Sequence, residues 1–329
     1  MSDVAPWVDP ELVAAGELLE RHGLAPLNPA TAPLAEVRAM QDRIGAVLGE
    51  SSTPLGSERD LALPGPHGAV PCRLYLPDDA DRPPLLVYAH GGSFALGTLS
   101  SWDAMLRELV RASGVAVLSV GYRLAPEHRF PVAFDEMLAT IRFAAREGRS
   151  LGVDPTRLAA GGDSAGANLA LGAALALRDA QEPLLAFLLL IYGAYSTDSD
   201  SDSWHRLGTG AYGLSRAQVI WVWENYLASP KQRADWRVAP LAATMHGLPP
   251  GHLIIGSLDP LLDDNQRLAT RLEEAGVLNK LVVYEGLNHG FIRYGRLIGT
   301  ARRAVADCAA ALRQALVGGA LEASARAGG

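Results

Sequence analysis

The sequence predicts an α/β fold, a mostly parallel sheet of about eight strands flanked by helices, and three observations point to it. From residue 85 onward strand-sized apolar runs alternate with helix-forming stretches, the order that builds a parallel sheet covered on both faces. The longest apolar run, residues 184–192, has the length of a buried strand and falls well short of the ~18 apolar residues of a membrane span. Hydrophobic residues make up 49% and charged residues 20% of a 329-residue chain, a balance that buries a large core and is inconsistent with disorder.

The elements are predicted in order as follows. Pro10 suits the first turn of a helix over 10–20, and Thr31 with Pro33 opens a second through 48, with Pro26, Asn28 and Pro29 breaking the chain between them. Short strands at 59–63 and 70–76 flank Pro64-Gly65-Pro66-His67-Gly68, which reads as an antiparallel hairpin. Strands then fall at 85–89, 115–120, 157–160, 184–191, 253–255 and 281–284, and helices at 102–112, 132–147, 165–177, 264–275 and 299–316. Between 194 and 241 the alternation lapses into a polar loop followed by a helical stretch, 215–227, rich in Trp221, Trp223 and Tyr226. This stretch reads as an insertion and part of a lid. The domain plan is therefore a helical segment at 1–50, a core at 51–193 and 242–329, and the insertion at 194–241. Beyond Gly318-Gly319 the Ala/Gly-rich tail has little to pack and is expected to fray.

Charge and cysteine content narrow the function. Acidic residues outnumber basic ones 36 to 29, for a net charge of −7. No basic field exists for a phosphate backbone, so nucleic acid is not an expected partner. The two cysteines, Cys72 and Cys308, are too few for a disulfide scaffold or a four-cysteine zinc site and read as buried small hydrophobes. The start of the chain carries neither a basic segment nor an apolar run, so a soluble, cytoplasmic protein without membrane contact is expected. Asp198, Asp200 and Asp202 have calcium-loop spacing, but Ser203 stands where the loop needs glycine and Thr209 where it needs glutamate; an acidic, solvated loop is the expectation.

Chemistry concentrates at predicted strand ends. Directly after the strand at 157–160 comes Gly161-Gly162-Asp163-Ser164-Ala165-Gly166, followed by a helix former run. A serine on a sharp strand-to-helix turn is lifted above the sheet, and its flanking glycines avoid clashes that a Cβ would cause. The amide of Ala165, at the helix N-terminus, can donate to a developing negative charge. A phosphate loop is excluded because Ala167 and Asn168 stand where it needs Lys and Ser/Thr, and no dinucleotide fingerprint follows any strand. His90-Gly91-Gly92-Ser93-Phe94 follows the strand at 85–89 at the same sheet edge. Gly91, Gly92 and Ala165 are the candidate oxyanion donors, and His90 reads as a loop anchor.

A serine nucleophile needs a histidine base whose tautomer a carboxylate fixes, in the chain order serine, acid, histidine for such a turn. Asp259, after the strand at 253–255, and His289, after the strand at 281–284, satisfy both position and order. Asp263 and Asp264 fall in the following helix, and Asp163 reads as a support of the turn. His22, His67, His90, His128, His205, His246 and His252 lack the combination of strand-end position and order.

The set H-G-G-S-F at His90, Y-R-L-A-P-E-H from Tyr122 to His128, G-D-S-A-G at Gly162, D-P-L at Asp259 and N-H-G-F at Asn288 resembles the bacterial hormone-sensitive-lipase-like esterases, family IV lipolytic enzymes of the α/β-hydrolase fold. The match runs from about residue 60 to the end, and the N-terminal helices look like that family's cap. The resemblance implies a carboxylesterase acting on short to medium acyl esters through an acyl-serine. Its triad is Ser164, Asp259 and His289, its oxyanion hole Gly91, Gly92 and Ala165, and no cofactor or metal is needed. It also implies a small-molecule ester as partner, a homodimer, and a scaffold role for 122–131 with its Glu127-His128 pair. Ser93 departs from the family's usual third glycine, and Leu262 from an arginine that often follows D-P-L. Trp204, Trp221, Trp223 and Tyr226 are either pocket walls or core. Two other readings stay open: an amide or formamide hydrolase with the same triad, and a non-catalytic binding protein on the same scaffold, against which the presence of His289 argues.

Overall fold

A computed structural model of the chain describes residues 6–49, 53–78 and 80–318; the start of the chain and the tail expected to fray after Gly318 lie outside the described residues. The helices are α1 (Pro10–Arg21), α2 (Leu34–Gly49), α3 (Asp103–Ser113), α4 (Val132–Leu151), α5 (Ala165–Asp179), α6 (Asp202–Leu207), α7 (Arg216–Tyr226), α8 (Leu262–Glu274) and α9 (Gly299–Arg313). The strands are β1 (Ser57–Leu63), β2 (Val70–Leu76), β3 (Leu85–Ala89), β4 (Ala116–Val120), β5 (Leu158–Asp163), β6 (Phe187–Ile191), β7 (Gly251–Gly256) and β8 (Asn279–Tyr284).

Local chemistry sets the ends of these elements. Asp9 caps α1 by accepting from the Glu11 amide at 2.9 Å, with Pro10 in the first turn. Gly114 and Gly152 close α3 and α4 in the left-handed conformation, at φ +71° and +85°. Ser215 and Gln218 cap α7 reciprocally, through contacts of 2.7 and 3.2 Å. Strands β3, β4, β5 and β6 are buried at every residue, which is why they read as unbroken apolar runs instead of alternating ones.

The eight strands form one sheet in the order β1-β2-β4-β3-β5-β6-β7-β8. The expected hairpin pairs Leu63 with Val70 antiparallel, β2 runs antiparallel to β4, and every later pair is parallel. From β3 the chain crosses one way to β4 through α3, then back the other way to β5 through α4. Right-handed crossovers therefore set these helices on opposite faces, where α3 packs against α9 and α4 against α5. The parallel strands deliver the loops after β3, β5, β7 and β8 to one sheet edge.

Two local expectations shift. The glycines Gly161 and Gly162 belong to β5, not to the turn after it, because neighbouring strands press close: a Cβ on Gly161 would stand 2.7 Å from the Leu189 carbonyl oxygen. Within the segment read as a polar loop, 202–207 is helical. Its buried face of Ser203, Trp204 and Leu207 packs toward α8, and the Ser203 hydroxyl donates to the Pro260 carbonyl at 2.7 Å. Upstream, Asp200 faces His205 at 3.1 Å and Arg216 at 3.4 Å. Cys72 and Cys308 are buried free thiols. Among the described residues no helix is long and apolar enough to cross a membrane.

Candidate active site

Ser164 occupies the bend between β5 and α5 with φ +53° and ψ −116°, a region that costs a non-glycine residue roughly 1–3 kcal/mol. The surroundings impose it. A Cβ on Gly162 would meet the Ala89 carbonyl oxygen at 2.4 Å, and one on Gly166 would meet the same atom at 1.9 Å. Backbone thus crosses backbone on both sides of the serine, and the Ser164 amide is pinned to the Ile191 carbonyl at 2.8 Å. The hydroxyl is left above the sheet edge.

There the structure brings three of the predicted residues together. His289 Nε2 lies 2.9 Å from Ser164 Oγ, and His289 Nδ1 lies 2.7 Å from Asp259 Oδ2. Asp259 is fully buried, and its other oxygen accepts from the Leu261 amide at 2.9 Å, which fixes the carboxylate. With an acceptor on one side and a hydroxyl on the other, the neutral ring carries its proton on Nδ1 and offers the Nε2 lone pair to the serine. Burial alone would lower the imidazole's pKa. The charge and hydrogen bond of Asp259 outweigh it, with help from Asp163, and hold the value above the ordinary 6.5. The Tyr192 ring, 4.9 Å away centroid to centroid, walls the histidine.

The loop after β3 lies beside the serine, and here one expectation is corrected. Gly91 gives its amide proton to Asp163 Oδ1 at 2.8 Å, so it is not an available oxyanion donor. The amides of Gly92, Ser93 and Ala165 have no acceptor among the described residues. The chain turns them outward through left-handed conformations at Gly92 (φ +109°), Ser93 (φ +58°) and Phe94 (φ +58°). Gly92 is obligatory because a Cβ would stand 2.3 Å from the Leu96 carbonyl oxygen, whereas Ser93 carries a left-handed φ with a side chain. Phe94 is held by a 3.8 Å stack on Tyr226.

Asp163 does more than support the turn. Buried beneath the loop, it also accepts from the Tyr88 hydroxyl at 2.8 Å and faces the Tyr192 hydroxyl at 3.4 Å, tying three strands' ends to the glycine loop. Burial pushes its pKa up, against the pull of these donors and of Arg293. His90 serves as the anchor expected of it: Nδ1 contacts the Gly91 carbonyl at 2.7 Å, and the ring stacks on Trp102 at 5.0 Å and on Tyr122 at 4.5 Å. Burial lowers its pKa to about 4, so the ring is neutral at physiological pH.

The remaining candidates lie elsewhere. Asp263 accepts from the Ser203 amide at 2.8 Å, and Asp264 is buried in α8; neither contacts His289. His67 pairs with Asp135, His205 with Asp200, and His252 is buried in β7. Trp204, Trp223 and Tyr226 are core residues, and half-buried Trp221 packs beside Val37 and Leu96. Glu127 receives a two-pronged contact from Arg38 of α2 at 2.7 and 2.8 Å; Arg38 also donates to the carbonyls of Ala95 and Ala125 at 2.9 Å each. This clamp between α2 and the glycine loop had no sequence signal, because a lone arginine on a helix resembles any solvated one.

A nucleophile elbow, a buried acid–histidine pair and loose amides at one edge of an eight-stranded sheet define a class of protein. Residues 86–293 match the family described as alpha/beta hydrolase fold. The chain belongs to that family, in its hormone-sensitive-lipase-like branch. It is 34% identical over 321 residues to an ethyl acetate hydrolase of Pseudomonas putida, covering 94% of this chain and 99% of the relative. A carboxylic ester hydrolase of Mycobacterium tuberculosis is 35% identical over 263 residues, 77% of this chain and 69% of its own. Among solved structures, a hyperthermophilic esterase from Pyrobaculum calidifontis superposes with a TM-score of 0.88 at 31% identity, covering 94% of this chain and 99% of that one.

Proposed function

We propose that this ester hydrolase is a carboxylesterase of short to medium acyl esters, working through an acyl-serine on Ser164. The observation that carries the reading is the continuous relay Ser164 Oγ, His289, Asp259, with contacts of 2.9 and 2.7 Å. The relatives named as ester hydrolases support the class, and the ethyl acetate hydrolase among them favours small acyl groups.

In this mechanism Ser164 Oγ attacks the ester carbonyl while His289 Nε2 takes its proton, and the buried Asp259 carboxylate stabilises the imidazolium. The tetrahedral oxyanion is met by the amides of Gly92, Ser93 and Ala165, which require no reorganisation as charge develops; one such donor is worth roughly 2.7–4 kcal/mol. The imidazolium returns its proton to the departing alkoxide. Water, activated by the same ring, then attacks the acyl-serine and releases the acid. The helical segments before residue 51 and within 194–241 act as a cap over the acyl or alcohol pocket, with Arg38 as its fastening.

Ser164→Ala is expected to abolish hydrolysis of p-nitrophenyl butyrate while leaving the fold intact; near wild-type turnover in that variant would overturn the assignment. A series of p-nitrophenyl esters of increasing acyl length measures the depth of the pocket, with the rate expected to fall beyond medium chains.

A further inference from the structure

A cavity of about 790 Å³ opens between the end of α2, α3, α9 and the short 3₁₀ turn Phe291–Tyr294. Neither Ser164, Asp259 nor His289 lines it. Its size falls within the range of small-molecule sites. Its charge is out of keeping with an acidic chain: Arg111, Arg293, Arg296 and Arg302 line it against a single carboxylate, Glu108, among the described residues. That carboxylate is occupied by Arg111 at 2.9 Å and by the Thr53 hydroxyl.

Among the described residues, neither Arg293 nor Arg302 has a carboxylate within ion-pair distance. Arg302 donates Nε to the Gly295 carbonyl at 2.9 Å. Arg293 lies over the Trp102 ring at 4.4 Å, and its Nε and one Nη are buried with no hydrogen-bond partner among the described residues. Buried Asp163 feels the charge of this guanidinium and Gln41 Oε1 accepts from its other Nη at 3.4 Å, yet the two remaining nitrogens keep their donors unmet among the described residues. Leu48, Met105, Ile292 and Val305 supply an apolar wall to the same cavity. Guanidinium forks favour carboxylates, and an apolar wall favours an alkyl tail.

We infer that this cavity is a binding site for a carboxylate-bearing alkyl amphiphile, its head among the arginines and its tail against α2, α3 and α9. The inference rests on the proposed reaction only for the choice of ligand, since alkyl carboxylates are the acids that reaction releases. The ligand is held by a turn that starts two residues after His289, although none of Ser164, Asp259 and His289 lines the cavity.

The test uses full-length protein whose Ser164 has been blocked with an organophosphate, followed by calorimetric titration with sodium octanoate. Failure of Ser164 to be labelled would count against the hydrolase reading alone; the titration reports on the cavity alone. The blocked protein is expected to bind one octanoate per chain. The double variant Arg111→Ala/Arg296→Ala, checked for wild-type circular dichroism and melting temperature, is expected to weaken binding at least tenfold. 1-Octanol and inorganic phosphate, each lacking half of the ligand's chemistry, are expected to bind at least tenfold more weakly than octanoate. Binding confined to unblocked protein, binding indifferent to the double variant, or phosphate binding as tightly as octanoate would each overturn the proposal. Should the double variant not fold, Met105→Gln, which makes the wall polar without touching charge, is expected to weaken octanoate and leave phosphate unchanged.

Discussion

Gly91 hands its amide proton to Asp163, 72 positions along the chain, across a 2.8 Å bond. The residue before Ser164 therefore sets the height of the loop whose next amides, in the proposed mechanism, face the reacting carbonyl. Asp163→Ala leaves the Gly91 amide and the Tyr88 hydroxyl buried without that acceptor, at about 1–3 kcal/mol for each stranded group. We expect a lower denaturation midpoint and a kcat reduced about tenfold to a hundredfold with KM little changed, as for a small misplacement of catalytic groups. Asp163→Asn keeps an acceptor oxygen and should restore most of the rate. Unchanged kcat in the alanine variant would show that the loop holds its place without this strut.

The pH profile tests the buried acid–base pair. In the proposed mechanism only neutral His289 can accept the serine's proton, and Asp259 favours the charged ring, so activity is expected to be lost as pH falls through a value above 6.5. Asp259→Asn removes the charge that raises this value. The acidic limb of kcat/KM should move to lower pH while kcat drops by about 10⁴. A limb that stays in place would assign the titration to another group.

Arg38 fastens α2 to the glycine loop and to the stretch around Glu127. Its ion pair is half exposed and worth less than about 1 kcal/mol, but the two carbonyl contacts add about 1 kcal/mol each. In Arg38→Met we expect KM for p-nitrophenyl esters to rise severalfold with a smaller change in kcat, and earlier tryptic cleavage within the first 49 residues. Equal KM values would detach α2 from substrate binding.

Asp264 makes stability depend on pH. Burial pushes its carboxyl up to about 7, against the partial relief of Arg267, while Asp198 and Asp263 add repulsion. The unfolded chain releases this proton near the ordinary 3.8, so the folded state binds the extra proton between these values. Stability present below pH 4 is thus lost as pH rises through about 7. Asp264→Asn does not titrate, and its melting temperature should exceed the wild type's by a margin that grows from pH 5 to pH 8, equivalent to roughly 1–3 kcal/mol. A constant margin would mean that the carboxylate is ionised throughout.

The parts of the site legible in the sequence were those marked by local necessity. Gly162 and Gly166 flank Ser164 because backbone passes within van der Waals contact of both, and such crowding leaves a spaced-glycine signature. Asp259 and His289 can be paired with Ser164 from the sequence because parallel strands end at one edge, so a strand-end position already says where a side chain can meet others. The donor assignment at Gly91 failed for a different reason: two adjacent glycines look alike, and only the left-handed turn at Gly92 and Ser93 decides which amides face outward. Arg38, the Trp102 stack on His90 and the helix at 202–207 depend on contacts between distant segments, and no periodicity announces them.

The relay itself joins Ser164 to a histidine 125 positions downstream, on the far side of β6, β7 and the whole insertion. Closing so long a stretch of chain costs entropy that only the assembled sheet repays. On the proposed mechanism, hydrolytic competence is therefore an all-or-nothing readout of tertiary assembly: a fragment cut between the two residues is expected to keep a correctly spelled elbow and show no chemistry.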